Sequence, residues 1–303
     1  MKKVTMKDIA QEAKVSVATV SYIINNVKNQ TIPLETRNRV LEIAHRLNYA
    51  PNLAARSLVK QKTGLVGILL NRTPNEMVWK QLYHAHFVSQ LEKRLTEDGY
   101  HVLFSTIDEK APNHHIITER KLDGVFLIDV KESNFYRISN QFTMVPIVLI
   151  DSYIEDELFF KVLPDFERAV QRAKQYITRD YVIIMEEFQN EQILQRVKAA
   201  SGIPEEHIHV ARSEEDLAYF LEKNKGKQVI VFNEFLAAAV KNQHVNDNII
   251  CVCTAGCDEL VPRTVEKVTF KLSKDEIAFH IMKLLLDEED CSDMFKYKMQ
   301  EAE

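Results

Sequence analysis

Ser16, Val17, Ala18, Ser21 and Tyr22 lie together near the start of the chain, inside the run TMKDIAQEAKVSVATVSYIIN from Thr5 to Asn25. Their chemistry is that of recognition. Hydroxyls donate and accept hydrogen bonds, while valine and alanine methyls fit against other apolar groups. No phosphate-cradling glycine loop occurs in the chain, and no Ser-His-Asp order can be defended, so no catalytic residue is assigned. Two other sets invite attention. Cys251, Cys253 and Cys257 form C-x-C-x3-C at the end of an apolar run, a spacing open to thiol or metal sensing. Cys251 and Cys253 share one face of a strand, however, and a small buried apolar role is the commoner use of cysteine. His84-x-His86, His114-His115 and His207-x-His209 lack a third ligand, and a helix turns residues i and i+2 to different faces. No metal site and no cofactor is expected.

The elements that must hold the first set are two short helices joined by a tight turn. Thr5 can cap the first, with Asp8 three residues on at the positive helix end. Ile9, Ala10 and Ala13 form its buried stripe, and the turn falls at Lys14-Val15. Ser16 can cap the second helix, which buries Val20, Ile23 and Ile24 and leaves Ser16, Val17, Ala18, Ser21 and Tyr22 outward. So short a pair needs a third helix, and Pro33 to Leu47 supplies one through Val40, Ile43, Ala44 and Leu47. Three helices with small and polar side chains on the outer face of the second describe a helix-turn-helix suited to a DNA major groove. Charge agrees. Through Lys62 the chain carries 11 Lys plus Arg against 4 Asp plus Glu, whereas the remainder carries 28 against 40. A basic head on an acidic body is what phosphate binding predicts.

The run VTMKDIAQEAKVSVATVS, followed by ETRNRVLEIAHRLNYAPNLAARSL, resembles the DNA-binding head of the lactose-repressor (LacI/GalR) family of bacterial transcription regulators. The likeness covers about the first sixty residues and includes two separate elements in the family's order and spacing. It implies a head over residues 1–50, a hinge helix and linker over 51–63, and a homodimer on pseudo-palindromic double-stranded operator DNA. By resemblance Thr5, Ser16, Val17, Ala18, Thr19, Ser21, Tyr22 and Asn25 contact DNA from the head. The hinge adds Ala55, Arg56 and Leu58, with Leu58 as the wedge that unstacks a central base step in the minor groove. Tyr22 is a departure, because many family members place Arg there, and tyrosine cannot make arginine's bidentate contact to guanine. Val17 and Ala18 likewise favour methyl contacts, so specificity is expected to rest partly on DNA shape.

From Thr63 short apolar strands alternate with helices, the pattern of parallel sheets covered on both faces. The fold class expected is an all-α head plus an α/β body of two doubly wound lobes, resembling periplasmic binding proteins. Lobe one takes about 64–160 and 266–287, and lobe two about 161–265. Phe159 to Leu163 reads as a crossover, Val265 to Phe270 as a strand returning to lobe one, and the charged tail as a frayed helix. Ligands of such folds bind beyond the carboxyl ends of the strands, which places effector candidates at Asn71, Arg72, Trp79, Asp151, Asn190, Glu234 and Asp258. Trp79 can stack on a sugar face or serve as core, and carboxylates can bind hydroxyls. Asp258 lies in Gly256-Cys257-Asp258, close to a family motif that reads Gly-Phe-Asp. Other family positions differ here: Thr178-Arg179-Asp180 replaces Gly-His-Arg, Asn190 stands where a pocket Arg is usual, and Ala238 replaces a glycine. No leader and no membrane-length apolar run is visible, so a cytoplasmic protein is expected.

Function is expected to be that of a dimeric repressor whose operator affinity responds to a small molecule, a sugar or related metabolite, between the lobes. The alternatives are a regulator with a degenerate cleft and, from another class, a sugar-processing enzyme carrying a DNA-binding head.

Overall fold

The computed structural model describes residues 4–24, 31–49, 62–107, 120–140, 142, 145–243, 249–289 and 297–302, the side chains of 297–300 excepted. It divides into two compact units, residues 1–63 and 64–303.

The first unit is the three-helix head: α1 Met6–Ala13, α2 Val17–Ile24 and α3 Leu34–Arg46. Its core is Ile9, Ala10, Ala13, Val20, Ile23, Val40, Ile43 and Ala44, with Ile24 and Leu47 half-buried at its edge. The sequence dictates each boundary. Thr5 and Asp8 make a reciprocal capping box at the start of α1, which satisfies amides that the helix itself leaves free. Lys14 then takes a left-handed backbone, φ 52°, and ends the helix. Arg46 on α3 reaches Glu12 on α1.

The second unit holds two sheets in which every pairing is parallel. Lobe one contains β1 Leu65–Asn71, α4 Val78–Glu97, β2 His101–Ile107, β3 Gly124–Ile128, α5 Glu132–Ser139, β4 Ile147–Ile150 and β5 Phe160–Pro164. Lobe two contains α6 Phe166–Lys174, β6 Tyr181–Glu186, α7 Glu191–Ser201, β7 Ile208–Ala211, α8 Glu214–Lys223, β8 Gln228–Phe232, α9 Glu234–Gln243, β9 Ile249–Val252 and β10 Glu266–Val268. The chain then returns to lobe one with α10 Lys274–Leu286 and β11 Tyr297–Gln300. Strand order is β11-β5-β4-β3-β1-β2 in one sheet and β10-β9-β8-β6-β7 in the other. Each order reverses direction once along the chain, at β1/β3 and at β6/β8, and a doubly wound sheet opens its binding crevice at that switch point.

Three sequence expectations are corrected. Phe160–Pro164 is a buried strand paired with β4 rather than a bare crossover. Glu266–Val268 pairs with Ile250–Val252 and so extends sheet two, not lobe one. The tail forms β11, a strand parallel to β5, not a frayed helix. All three errors concern pairing partners, which local periodicity does not encode.

Helix α4 is shared. Phe87, Leu91 and Leu95 on its later turns pack into the core of lobe one. Trp79 in its first turn packs among Val182, Ile184, Leu217, Val231 and Leu236 of lobe two.

Candidate functional site

In the head, α2 presents one uninterrupted outer face. Ser16, Val17, Ala18 and Tyr22 are exposed, with Val17 at 44% and Tyr22 at 37%. Residues four apart on a helix share a side, so Ala18 and Tyr22 stand one above the other beside Val17 and the half-buried Ser21. Two expected contacts prove to be structural as well. Ser16 Oγ accepts from the Thr19 amide at 3.0 Å and lies 2.8 Å from Thr19 Oγ1, so it caps α2 and holds the half-buried Thr19. Thr5 Oγ1 accepts from the Asp8 amide while Asp8 Oδ2 accepts from the Thr5 amide at 2.8 Å. Asn25, Ala55, Arg56 and Leu58 lie outside the described residues, as does the His114-His115 pair.

In the body, the carboxyl ends of the strands at both switch points face a buried polar cluster. Asp129 after β3 and Asp151 after β4 both adopt left-handed backbone, φ 53° and 51°, as does Asn233 after β8, φ 81°. Short Asp and Asn side chains tolerate that region better than most residues. Each Asp thereby turns its carboxylate back into the crevice. Lys80 Nζ donates to Asp129 Oδ2 at 2.6 Å and also to the Glu187 carbonyl, while the Gln189 amide donates to Asp129 Oδ1 at 2.8 Å. One carboxylate of lobe one is thus tied to lobe two directly through Gln189 and, by way of Lys80, to Glu187. Beside it Tyr83 Oη donates to Asp151 Oδ2 at 3.0 Å, and Lys274 Nζ donates to the same oxygen at 2.5 Å and to the Tyr83 hydroxyl. Phe188 of lobe two meets Tyr83 edge-on, ring centres 6.4 Å apart.

The electrostatics follow from burial and pairing. Burial works against the Lys80 ammonium, but the charge and hydrogen bond of Asp129 outweigh it and raise its pKa. Tyr83 is pushed well up by burial and by Asp151. Burial also works against the Glu76 carboxylate, yet His84, Lys80 and Arg72 overcome it and lower its pKa. Glu186, at the end of β6, is raised to about 8, chiefly by burial.

The expected effector residues divide. Asn71, Trp79, Asp151 and Asn190 come to the lobe junction. Asn71 Nδ2 donates to the Asp129 carbonyl at 3.0 Å, and Asn190 Nδ2 donates to the Tyr153 carbonyl at 2.6 Å while its Oδ1 caps α7. Trp79, 4% exposed, is core rather than a sugar platform. Arg72 is exposed beside Glu76, at 3.9 Å. Glu234 is a buried clasp that accepts from the Ala255 and Cys257 amides at 2.9 and 2.7 Å. Asp258 does not join the cluster: it is exposed in a short 3₁₀ turn, 3.6 Å from Lys267. Sequence reasoning missed Lys80, Tyr83, Asp129, Glu186 and Lys274. The available signal was a carboxylate at or just after the apolar strands Gly124–Ile128 and Tyr181–Glu186.

Two cavities of about 170 Å³ flank the Lys80 contact, one reaching Thr73, Glu76 and Trp79, the other Lys131, Asn190 and Leu194. Both are smaller than the roughly 300–1,000 Å³ usual for small-molecule pockets.

Cys251, Cys253 and Cys257 are buried free thiols. The Cys253 hydrogen bond and burial push Cys251 well up, and burial with Glu234 pushes Cys257 up to about 12. His207 instead meets Lys227, and His209 stacks on Phe220 beside Asp216. Among the described residues no group of three His, Cys, Asp or Glu side chains is placed to hold a metal.

Residues 5–52 match the family profile described as bacterial regulatory proteins, lacI family. Catabolite control protein A of Staphylococcus epidermidis is 34% identical over 180 residues, 57% of this chain and 52% of that protein. The family match is carried by the head, residues 5–52. The chain spans about half the length of the curated relatives it matches. Among solved structures, the lac repressor dimer bound to operator and the anti-inducer ONPF is similar, with TM-score 0.70 at 16% identity over 99% of this chain and 97% of that one. The transcriptional regulator CelR in complex with cellobiose gives TM-score 0.57 at 17% identity over 99% and 98%. At these identities the likeness establishes the fold alone: a three-helix head followed by a two-lobed α/β body. No helix among the described residues is long and apolar enough to cross a membrane.

Proposed function

We propose that the protein is a cytoplasmic transcriptional repressor that binds pseudo-palindromic operator DNA as a homodimer and whose operator affinity is modulated by a small molecule, a sugar or related metabolite, between the lobes. The observation that carries this reading is the exposed face of α2 within a LacI-family head. Val17, Ala18 and Tyr22 read base edges from the major groove, chiefly through thymine methyl groups, while Thr5, Ser16, Thr19, Ser21 and Asn25 position the helix. At the hinge Ala55 and Arg56 line the minor groove and Leu58 enters it as the wedge. Within the body Asn71, Arg72, Asp151, Asn190, Glu234 and Asp258 are the polar groups available to an effector, and Trp79 couples its presence to the lobes. No residue has a catalytic role in this reading.

A second reading has its own support. Lys80 and Lys274 already occupy the carboxylates that a ligand would meet, and the remaining cavities are small. A regulator with a self-filled crevice, constitutive or controlled by a partner protein, fits that geometry.

Selection of bound DNA from random sequence, followed by affinity measurements with and without sugars, sugar phosphates and nucleobases at fixed salt, separates the two. A tenfold shift with one compound corresponds to about 1.4 kcal/mol of coupling and supports the sensor. Tight binding that no compound alters supports the self-filled crevice. Failure to select a palindrome, or unchanged affinity in both Val17→Glu and Leu58→Ala, rejects the DNA-binding assignment itself.

A further inference from the structure

Glu186 has no part in either reading. It is 1% exposed at the carboxyl end of β6, and no other described residue hydrogen-bonds its carboxylate, whose one donor is its own backbone amide. Lys80, Asp151 and Lys274, all from lobe one, act on it directly. Beyond them stand Tyr83 and His84 on α4, Glu76 before that helix, Asp129 after β3 and, from lobe two, Glu234. Two ammonium groups therefore answer five carboxylates, of which Glu76 also has His84 and Arg72 and Glu234 has the Ala255 and Cys257 amides, leaving Asp129, Asp151 and Glu186 to share the two lysines. Both ammoniums are committed elsewhere, Lys80 to Asp129 and Lys274 to Asp151. A sealed carboxylate with no counter-charge of its own and no donor but its own amide is costly unless it is neutral.

We infer that Glu186 is a proton-operated latch between the lobes: they close over its neutral acid and part when it ionises and takes up water. The inference rests on lobe movement being how the body of the regulator works. Its sign follows from linkage. The pKa is raised from 4.5 to about 8 in the closed form, so the closed form holds the proton more tightly. Closure is then fully favoured below the lower value and weakens as pH rises toward the upper one, by about tenfold per pH unit in between.

The chain contains one tryptophan, and Trp79 sits in the seam, so acrylamide quenching of its fluorescence reports opening directly in the full-length protein. Between about pH 6 and about pH 8 the closing equilibrium is expected to fall by up to roughly fifty-fold, with a matching rise in quenching. Glu186→Gln should give low quenching that does not change with pH, and His84→Gln should keep the parent's rise. A flat profile in the parent, or a rise in Glu186→Gln equal to the parent's, overturns the latch. Should Glu186→Gln fail to fold by circular dichroism, loss of the pH-dependent rise in His84→Gln overturns it instead. Operator binding measured on the same samples keeps the two ideas apart. Absence of DNA binding at every pH counts against the regulator alone, whereas intact binding with pH-independent quenching counts against the latch alone.

Discussion

Replacing Lys80 by methionine tests the seam between the lobes at its most connected point. The ammonium lies 2.6 Å from Asp129 Oδ2, with 5% of the lysine side chain and none of the aspartate side chain exposed. Methionine keeps most of the stem volume but removes the charge, leaving Asp129 with the Gln189 amide and no counter-ion. Breaking one side of a buried pair costs about 3–5 kcal/mol, because the surviving charge stays desolvated. With a urea slope of about 3 kcal/mol/M, the unfolding midpoint of the body should fall by roughly 1–1.7 M. The informative companion is the double variant Lys80→Met/Asp129→Asn, which removes both charges while an asparagine carbonyl can still accept from the Gln189 amide. It should recover most of the loss, giving a coupling energy of about 1–3 kcal/mol in a double-mutant cycle. The measurement is urea denaturation of parent, both singles and the double, followed by circular dichroism and Trp79 fluorescence. A Lys80→Met variant within about 0.5 kcal/mol of the parent, or a double no more stable than the single, would show that the contact is solvated and refute the reasoning.

Three further outcomes follow from local geometry. Thr5→Ala removes the hydroxyl that accepts from the Asp8 amide while leaving the Thr5 amide free to donate to the Asp8 carboxylate, and should lower head stability by about 1 kcal/mol, read from the helical melting signal. Gly124→Ala places a Cβ 2.5 Å from Met282 Sδ; it should destabilise the body by about 1–3 kcal/mol in urea melts, with part of the loss recovered by adding Met282→Ala. Cys251, Cys253 and Cys257 should resist a thiol reagent at about pH 8 in the native protein and react in urea, because the Cys253 hydrogen bond and burial raise Cys251, burial raises Cys257, and all three are sealed. Rapid native labelling at any of the three would contradict that assignment.

How much of this was legible from residues alone varies with the range of the interaction concerned. The bounds of α7 and α9 follow from local chemistry, an Asn cap and a following Gly for α7, an acidic first turn for α9. The head was legible for the same reason, since Thr5, Asp8 and Ser16 act within three residues of themselves. The partners of β10 and β11 were not, because pairing Glu266 with Ile250 and Tyr297 with Lys161 is decided by topology. The crevice was half legible. Its place beyond the strand ends was predictable, but the meeting of Lys274 with Tyr83 and Asp151 joins residues far apart in the chain. Asp258 was singled out through a short motif resemblance, and what that motif does not encode is the exposed turn, apart from the Lys80–Asp129 cluster, in which the residue lies.

The divided loyalty of α4 has a mechanical consequence. A helix of 20 residues is a rod about 30 Å long, and here its two ends are embedded in different bodies. Parting the lobes while the rod stays with lobe one means drawing an indole out of lobe two. Re-wetting roughly 150–250 Å² of aromatic surface costs about 4–6 kcal/mol. Through this one side chain α4 pins the two lobes together, and any change that parts them has first to supply that energy.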